Sequence, residues 1–482
     1  MADDEGTPGV RTVKAGDIKP QWEVRELPEP PPISLKGLFQ WAGPAVILGA
    51  FGVGGFEAYH AGFMGAKMYV GIFWLYWVSS ICQLFLNQEI ARYTMATGET
   101  VLQGFTRLHP RKLWAWVSAI FCWLSVAWPA FITGAAAGAV AAFGFGTWQA
   151  WSVVGLVAVF IVFAASKYVY NSLEIIMYAC FVVANLGVAF FALKMATPAA
   201  VAATAKGWLS VGVFPAGITL SMIGPFLLQP AGGFTNLWHT YWVREKGMGM
   251  GKYAARVTGL GYEPEDLRRA GYIFDADNPL ELAKFRGWLR LNNLTLTVFF
   301  IILGGVFFTF FVSLAGYSAR SAYHMELPSG WKIAIVMAEI FKSAFGQWGY
   351  IFFGIILIFA LFDTQFTIYD GIARMGADAI FLEHAESLGK KPYRYWYFIV
   401  LGTVVIYGVI GTFLKTPYVL WLIAAWLTTP AQVYVTFMVI ILNRKLLPPK
   451  IRPQGVSLAI NVIWATILLV YFIVWTIKDR PF

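Results

Sequence analysis

The chain has 482 residues, of which 58% are hydrophobic and 17% aromatic but only 13% charged, and its mean hydropathy is +0.63. This composition excludes a soluble globular protein and points to a polytopic membrane protein. The formal net charge of +10 would suit a nucleic-acid partner, but with the N-terminus in the cytoplasm most of the 36 Lys and Arg fall on the inner side, so the excess is the positive-inside asymmetry and no nucleic acid is expected.

Residues 1–37 are polar, carry Pro28-Glu29-Pro30-Pro31-Pro32 and show no cleavable signal peptide, so a disordered or extended cytoplasmic tail is predicted. Eleven all-α spanning segments follow, near 38–65, 68–91, 113–141, 149–166, 172–194, 217–241, 292–315, 347–372, 395–413, 417–442 and 456–477. An odd number of spans puts the C-terminus outside. A multi-pass protein of the cell membrane is expected.

The first segment is interrupted: apolar Trp41–Val53 runs into Gly54-Gly55-Phe56-Glu57. The sixth repeats the pattern, with Ile218–Pro230 running into Gly232-Gly233-Phe234-Thr235. Paired glycines disfavour helix, and Pro230 removes a backbone donor. In lipid, freed backbone groups survive only where protein or a water-filled cavity satisfies them. One such pair alone reads as a close-packing site. Two pairs in the same Gly-Gly-Phe order, at corresponding positions of two halves, predict discontinuous helices around a substrate site.

Between the breaks, Glu89 sits at a helix edge where Arg92 is its expected partner, and Trp128-Pro129 interrupts segment three in mid-membrane. Cys82, Cys122 and Cys180 lie in spans without metal-ligand spacing and read as small apolar packing residues. After segment six comes the longest hydrophilic region, 244–290, expected to form a cytoplasmic loop. Within it Asn278-Pro279 reads as an N-cap and first helical residue, and 280–291 as an amphipathic helix lying on the membrane surface. Segment eight carries Asp363-Thr364-Gln365, and segment ten carries Thr428-Thr429-Pro430-Ala431-Gln432. Segment eleven, 456–477, looks peripheral. Segments one to five (38–194) and six to ten (217–442) make two halves of a transporter core spanning 38–442. Five spans in each half force opposite orientations, and hence an inverted repeat.

Gly43-Pro44-Ala45 before the first break, Leu173-Glu174 opening segment five, and Ile223-Gly224 with Pro230 in segment six resemble the Nramp metal transporters over about residues 38–445. That family belongs to the amino acid–polyamine–organocation superfamily, and the resemblance implies a leucine-transporter-type fold of five plus five helices and one more. The family's metal site rests on Asp-Pro-Gly-Asn in helix one and Met-Pro-His-Asn in helix six. This chain keeps neither. The Asp position falls on Gly54 and the Asn on Glu57; Met becomes Gln229, His becomes Ala231 and the second Asn becomes Gly232. The stretch Gly52–Glu57, with Arg244-Glu245-Lys246-Gly247 and Asp370-Gly371-Ile372-Ala373-Arg374, is similar to a divergent Nramp-like branch that has Gly-Ser-Gly-Glu in helix one.

The expected site surrounds the breaks. Its backbone is Gly54, Gly55, Ala231, Gly232 and Gly233, and its walls are Phe51, Phe56, Tyr59, Trp128, Phe131, Phe226 and Phe234, with Gln229 and Asn236 as polar groups. A mainly apolar wall with few polar groups suits an organic substrate, and half-helix N-termini hold carboxylates in this fold. A small aromatic acid such as an indole or phenyl acid is the expected substrate, carried by symport. Glu57 is the candidate proton carrier, because an intramembrane carboxylate that ionises would repel a bound anion; the bland reading is a first-turn glutamate favoured by the helix dipole. His60 and His239 are candidate relay residues. Asp363 and Thr364 align with helix-eight serines of the family near a sodium position, so H⁺ or Na⁺ is the coupling ion; a polar helix–helix contact is the alternative. Should the cargo be a divalent metal of the manganese or magnesium type, Glu57 and Gln229 are its side-chain ligands. A solute sensor on a transporter fold is a further alternative. No nucleophile–base pair, metal motif or phosphate loop marks an enzyme, and no cofactor is expected.

Overall fold

Long apolar runs bounded by capping residues define the elements of the computed structural model, which describes residues 22–54, 60–110, 113–263, 265, 270–384 and 391–479. In chain order they are β1 (Glu23–Val24), α1 (Leu35–Trp41), α2 (Gly43–Gly52), α3 (Gly62–Ala66), α4 (Trp74–Thr97), α5 (Val101–Phe105), α6 (Leu113–Val126), α7 (Ala130–Phe143), α8 (Trp148–Ala165), α9 (Val169–Met195), α10 (Pro198–Leu209), α11 (Leu220–Leu227) and α12 (Phe234–Glu245). Then follow β2 (Tyr272–Ile273), α13 (Pro279–Thr295), a π-helical stretch (Leu296–Phe307), α14 (Phe308–Ser321), α15 (Val336–His384), α16 (Tyr393–Gly411), α17 (Pro417–Leu446) and α18 (Gly455–Lys478).

Among the described residues, nine helical stretches are long and apolar enough to cross a membrane. The other two crossings are α2 with α3 and α11 with α12; the second is interrupted where its glycines stand, and beside the first pair the described chain is π-helical at Val53–Gly54 and His60–Ala61. The order is five crossings, five more, and α18. Side chains on α8, α9 and α18 such as Val154, Leu186 and Ile463 remain exposed, as a lipid-facing shell requires. α2, α12 and α15 form the buried centre.

Three expectations are corrected. Residues 22–37, read as part of a disordered tail, are a packed strap: β1 pairs in parallel with β2, with Glu23 opposite Tyr272 and Val24 opposite Ile273. The Leu27 amide donates to Glu281 (2.6 Å), the Trp288 indole to the Pro28 carbonyl (2.7 Å), and Arg25 lies over the rings of Tyr253 and Tyr272. Lys284 donates to Glu26 (2.6 Å) and so holds that carboxyl below its usual range. The composition missed this because proline-rich chain that cannot form its own core can still lie along another's groove. The region 244–290 is shorter as a loop than expected because α12 reaches Glu245, while its helix begins as expected, at N-cap Asn278, whose side chain accepts from the Leu280 amide (3.0 Å), and Pro279. The amphipathic helix does not stand alone either. It runs on without a break through the π stretch into α14, a 43-residue rod from Pro279 to Ser321. Phe285, Trp288 and Leu291 are buried against α4 and the strap, so packing replaces the membrane surface as its apolar partner.

α18 is at the periphery, but both its ends are fastened inward. At one end Ser457 donates to Glu89 (2.8 Å), the residue that Arg92 also holds (2.7 Å). At the other, Asp479 accepts from the Ser221 amide (2.7 Å) in the first turn of α11, and its backbone carbonyl accepts from the Ser221 hydroxyl (2.7 Å). The α11 N-cap, Thr219, makes no such bond itself, so the cap is supplied from 258 residues away. Trp475 is fully buried against Gly224, where a Cβ would come within 2.6 Å of its ring. Asp479→Ala is expected to cost about 1 kcal/mol and Trp475→Ala about 3–5 kcal/mol, measured by unfolding of the purified protein in detergent. Unchanged stability in the tryptophan variant would show α18 to be merely attached.

Candidate functional site

The second break is a stretch of freed backbone surrounded by amide and hydroxyl side chains. α11 stops at Leu227; Leu228–Gly232 are irregular, the Gln229–Pro230 peptide is cis, and Gly233 takes φ 54°, ψ −121°, a conformation that glycine adopts without penalty. Ser79 and Gln83, one turn apart on α4, point their donors at it: Ser79 Oγ to the carbonyls of Leu227 (2.8 Å) and Gln229 (2.9 Å), and Gln83 Nε2 to Gln229 O (2.8 Å). Asn236 Nδ2 donates to Gln83 Oε1 (3.1 Å) and Gln432 Oε1 (2.9 Å), and its own oxygen accepts from Asn87 (2.8 Å). The Gly233 amide donates to Gln432 Oε1 at 2.5 Å. Burial in a low-dielectric interior makes each of these bonds costly to lose. Ser79, Gln83 and Asn87 were absent from the predicted site, although their spacing of four on an otherwise apolar helix was a readable signal.

The first break is governed by close approach. A Cβ on Gly54 would lie 1.8 Å from Ala360 O and 2.0 Å from Thr364 Oγ1, so α15 presses directly on the backbone there. Gly52 meets Pro230 the same way, at 2.9 Å, so the two breaks touch. Gly55, Phe56, Glu57 and Tyr59 lie outside the described residues.

Between the breaks, α7 and α17 is a cavity of about 60 Å³. Of the predicted residues, Phe51, Phe131, Gln229, Ala231 and Gly232 line it, joined by Thr235, Trp421 and Thr428, which had not been assigned. Gly54, Gly233 and Asn236 stand behind its wall, in the contacts just given. Trp128 does not reach it: the indole donates to Leu124 O (3.0 Å), in the turn that ends α6, and packs on Tyr407 of α16. Phe226 is on the opposite face of α11, against Phe73 and His60. Phe234 packs on Phe121 and Tyr434. Aromatic residues surround these helices, so composition alone could not say which rings face inward.

The two histidines are kept apart. His60 Nε2 is 2.8 Å from Met222 O and Nδ1 3.3 Å from the Tyr418 hydroxyl, so it joins α11 to α17. His239 is on the half-helix beyond the other break, 3.4 Å from Asn292 of α13, with Nδ1 unpartnered. Asp363 is buried, with Thr364 Oγ1 3.2 Å from its Oδ1 and 2.9 Å from Ala360 O, beside Gly54. Among the described residues, no three His, Cys, Asp or Glu converge; the donors around the breaks are amide, hydroxyl and backbone oxygens.

Two charged sequences that carried the family resemblance meet each other. Arg374 is fully buried between Asp370 (2.8 Å) and Glu245, and Lys246 pairs with Glu174 (2.6 Å). These bonds tie α12 to α15 and α9.

No protein-family model matches the chain, and no curated protein sequence matches it. Solved structures do. A mutant of the Eremococcus coleocola manganese transporter superposes with a TM-score of 0.65 at 13% identity, covering 98% of this chain and 93% of that one. The nucleobase-cation-symport-1 family transporter Mhp1, closed with bromovinylhydantoin bound, gives 0.52 at 11% identity, over 92% and 93%. MhsT with L-phenylalanine gives 0.50 at 12%, over 91% and 98%. These likenesses show the fold: the chain is an all-α polytopic membrane protein of the leucine-transporter type.

Gln83→Leu removes the donor to Gln229 O and an acceptor of Asn236, and is expected to destabilise by about 1–3 kcal/mol. Ser79→Ala, which leaves Gln229 O with Gln83, should cost less. Thermal unfolding of both variants reads the order; the reverse order would show that Gln83 does not hold the break.

Proposed function

We propose that the chain is a secondary active transporter of the cell membrane, N-terminus cytoplasmic, whose substrate site is the cavity between the two breaks. Its substrate is a small amphipathic organic acid with an aromatic body. The observation that carries this reading is the wall: Phe51, Phe131, Trp421 and three alanines beside the polar groups of Gln229, Thr235 and Thr428. The Gly233 amide, which would hold a carboxylate at the start of α12, is taken by Gln432. Substrate would therefore exchange places with Gln432 Oε1, one acceptor for another on the same donor. At about 60 Å³ the cavity matches about two water molecules, so loading requires α7 and α17 to draw back from the breaks, as rocking of one bundle against another provides. Glu57 supplies the coupling: protonated, it tolerates the bound anion, and ionised, it expels it.

A second reading is a divalent-metal transporter. The likeness to a manganese transporter favours it, with Glu57 and Gln229 as ligands; the Gln229 amide nitrogen is held by Pro225 O (3.0 Å), which leaves its oxygen for a cation. Proteoliposomes separate the readings. Saturable, pH-gradient-driven uptake of phenylacetate or an indole acid is expected, whereas saturable manganese or magnesium uptake without organic-acid uptake would establish the metal reading. Binding of either class without flux would identify a sensor. Glu57→Gln should abolish the pH dependence of transport while exchange continues in part; an unchanged pH profile would remove Glu57 from the coupling role.

A further inference from the structure

Of the three consecutive charges that close α12, Glu245 and Lys246 are paired and Arg244 is not. Arg244 is 1% exposed. Its Nη1 donates to Gln103 Oε1 (3.3 Å), and its Nε and Nη2 have no partner. Those two N–H groups form one edge of the guanidinium, the edge that takes both oxygens of a carboxylate or phosphate side by side. Charged donors buried without acceptors are strongly destabilising, and here they border space. Arg244 lines a cavity of about 380 Å³ with Glu99, Gln103, Tyr253, Ala255, Gly271 and Tyr272, at the end of α12 away from the second break. This is the size of a small-molecule pocket.

The acidic groups nearby are already engaged. Glu99 accepts from Arg107 (2.5 Å), the Gly271 amide (2.8 Å) and the Tyr93 hydroxyl (2.7 Å). Glu265, also in the wall, accepts from the Arg256 amide (2.7 Å). Asp378 takes the Thr100 and Tyr241 hydroxyls (both 2.9 Å) and acts on Arg244 through its charge, with no hydrogen bond to the Nε–Nη2 edge. We propose that this cavity binds an oxyanion, the carboxylate or phosphate group of a small organic molecule, through the Nε–Nη2 edge of Arg244. The bound anion ties the last turn of α12 to Tyr253, Gly271 and Tyr272. Its occupancy therefore biases the half-helix that leaves the second break, and the proposal holds whatever that break transports.

The test uses the full chain purified in detergent, with inorganic phosphate as probe against chloride at equal ionic strength. Phosphate should raise the unfolding temperature in a saturable manner. Arg244→Gln should weaken the apparent affinity about 10- to 100-fold. Ala255→Trp, which fills the cavity and keeps the arginine, should abolish the effect without moving the phosphate-free melting point, and it carries the test if the first variant does not fold. Stabilisation in nanodiscs containing phosphatidic acid, but not by free phosphate, and lost in the same variants, supports the site and assigns its anion to a lipid headgroup. Equal stabilisation of both variants and the wild type, or none by either phosphate source, overturns the proposal.

Discussion

The arrangement depends on how the second break keeps its backbone polar groups bonded in a medium that offers no water. The carbonyls of Pro225, Leu227 and Gln229 and the amide of Gly233 are the groups a continuous helix would have paired; here they go to Gln229's own side chain, Ser79, Gln83 and Gln432. An unmet backbone group in hydrocarbon costs several kcal/mol, so four side chains on three elements are fixed in place by one interruption. α4 must lie against α11 and α12, α17 must present Gln432 from the other side, and the cavity occupies the space left between them.

The two glycine pairs are accommodated differently. The second is filled with amide side chains. The first, as far as Gly54, has had side chains removed so that the carbonyl and hydroxyl of α15 can approach. Glycine at 54 is therefore a packing requirement: any side chain there would collide with Ala360 and Thr364.

What was legible in the sequence was whatever is local. Hydropathy gave the crossings, and the glycine pair beside Pro230 gave the second interruption, because both act on the residues that carry them. The wall was legible in part. Phe51 and Gln229 lie next to the glycine stretches and Phe131 next to Pro129, whereas Trp128, Phe226 and Phe234, equally near such signals, face elsewhere, because facing is decided by partners such as Tyr407 and Phe73 on distant helices. Gln432 reaches Gly233 across 199 residues, a pairing that no spacing rule encodes. The strap of residues 22–34 was missed for a related reason: its composition describes a chain that cannot fold alone, which is true, and it does not fold alone.

The bond between Asp479 and Ser221 also bears on the order in which the molecule is made. The short half-helix α11 is inserted early but receives its cap only when a residue 258 positions later has crossed the membrane and returned to it. Until then α11 is an eight-residue helix with open amides and an unfilled groove at Gly224. The part of the protein that shapes the candidate site is thus completed only after α18 has been made. A nascent chain arrested before α18 would hold every helix of both halves yet lack a finished second break, which gives quality-control proteases a defined point at which to recognise an incomplete molecule.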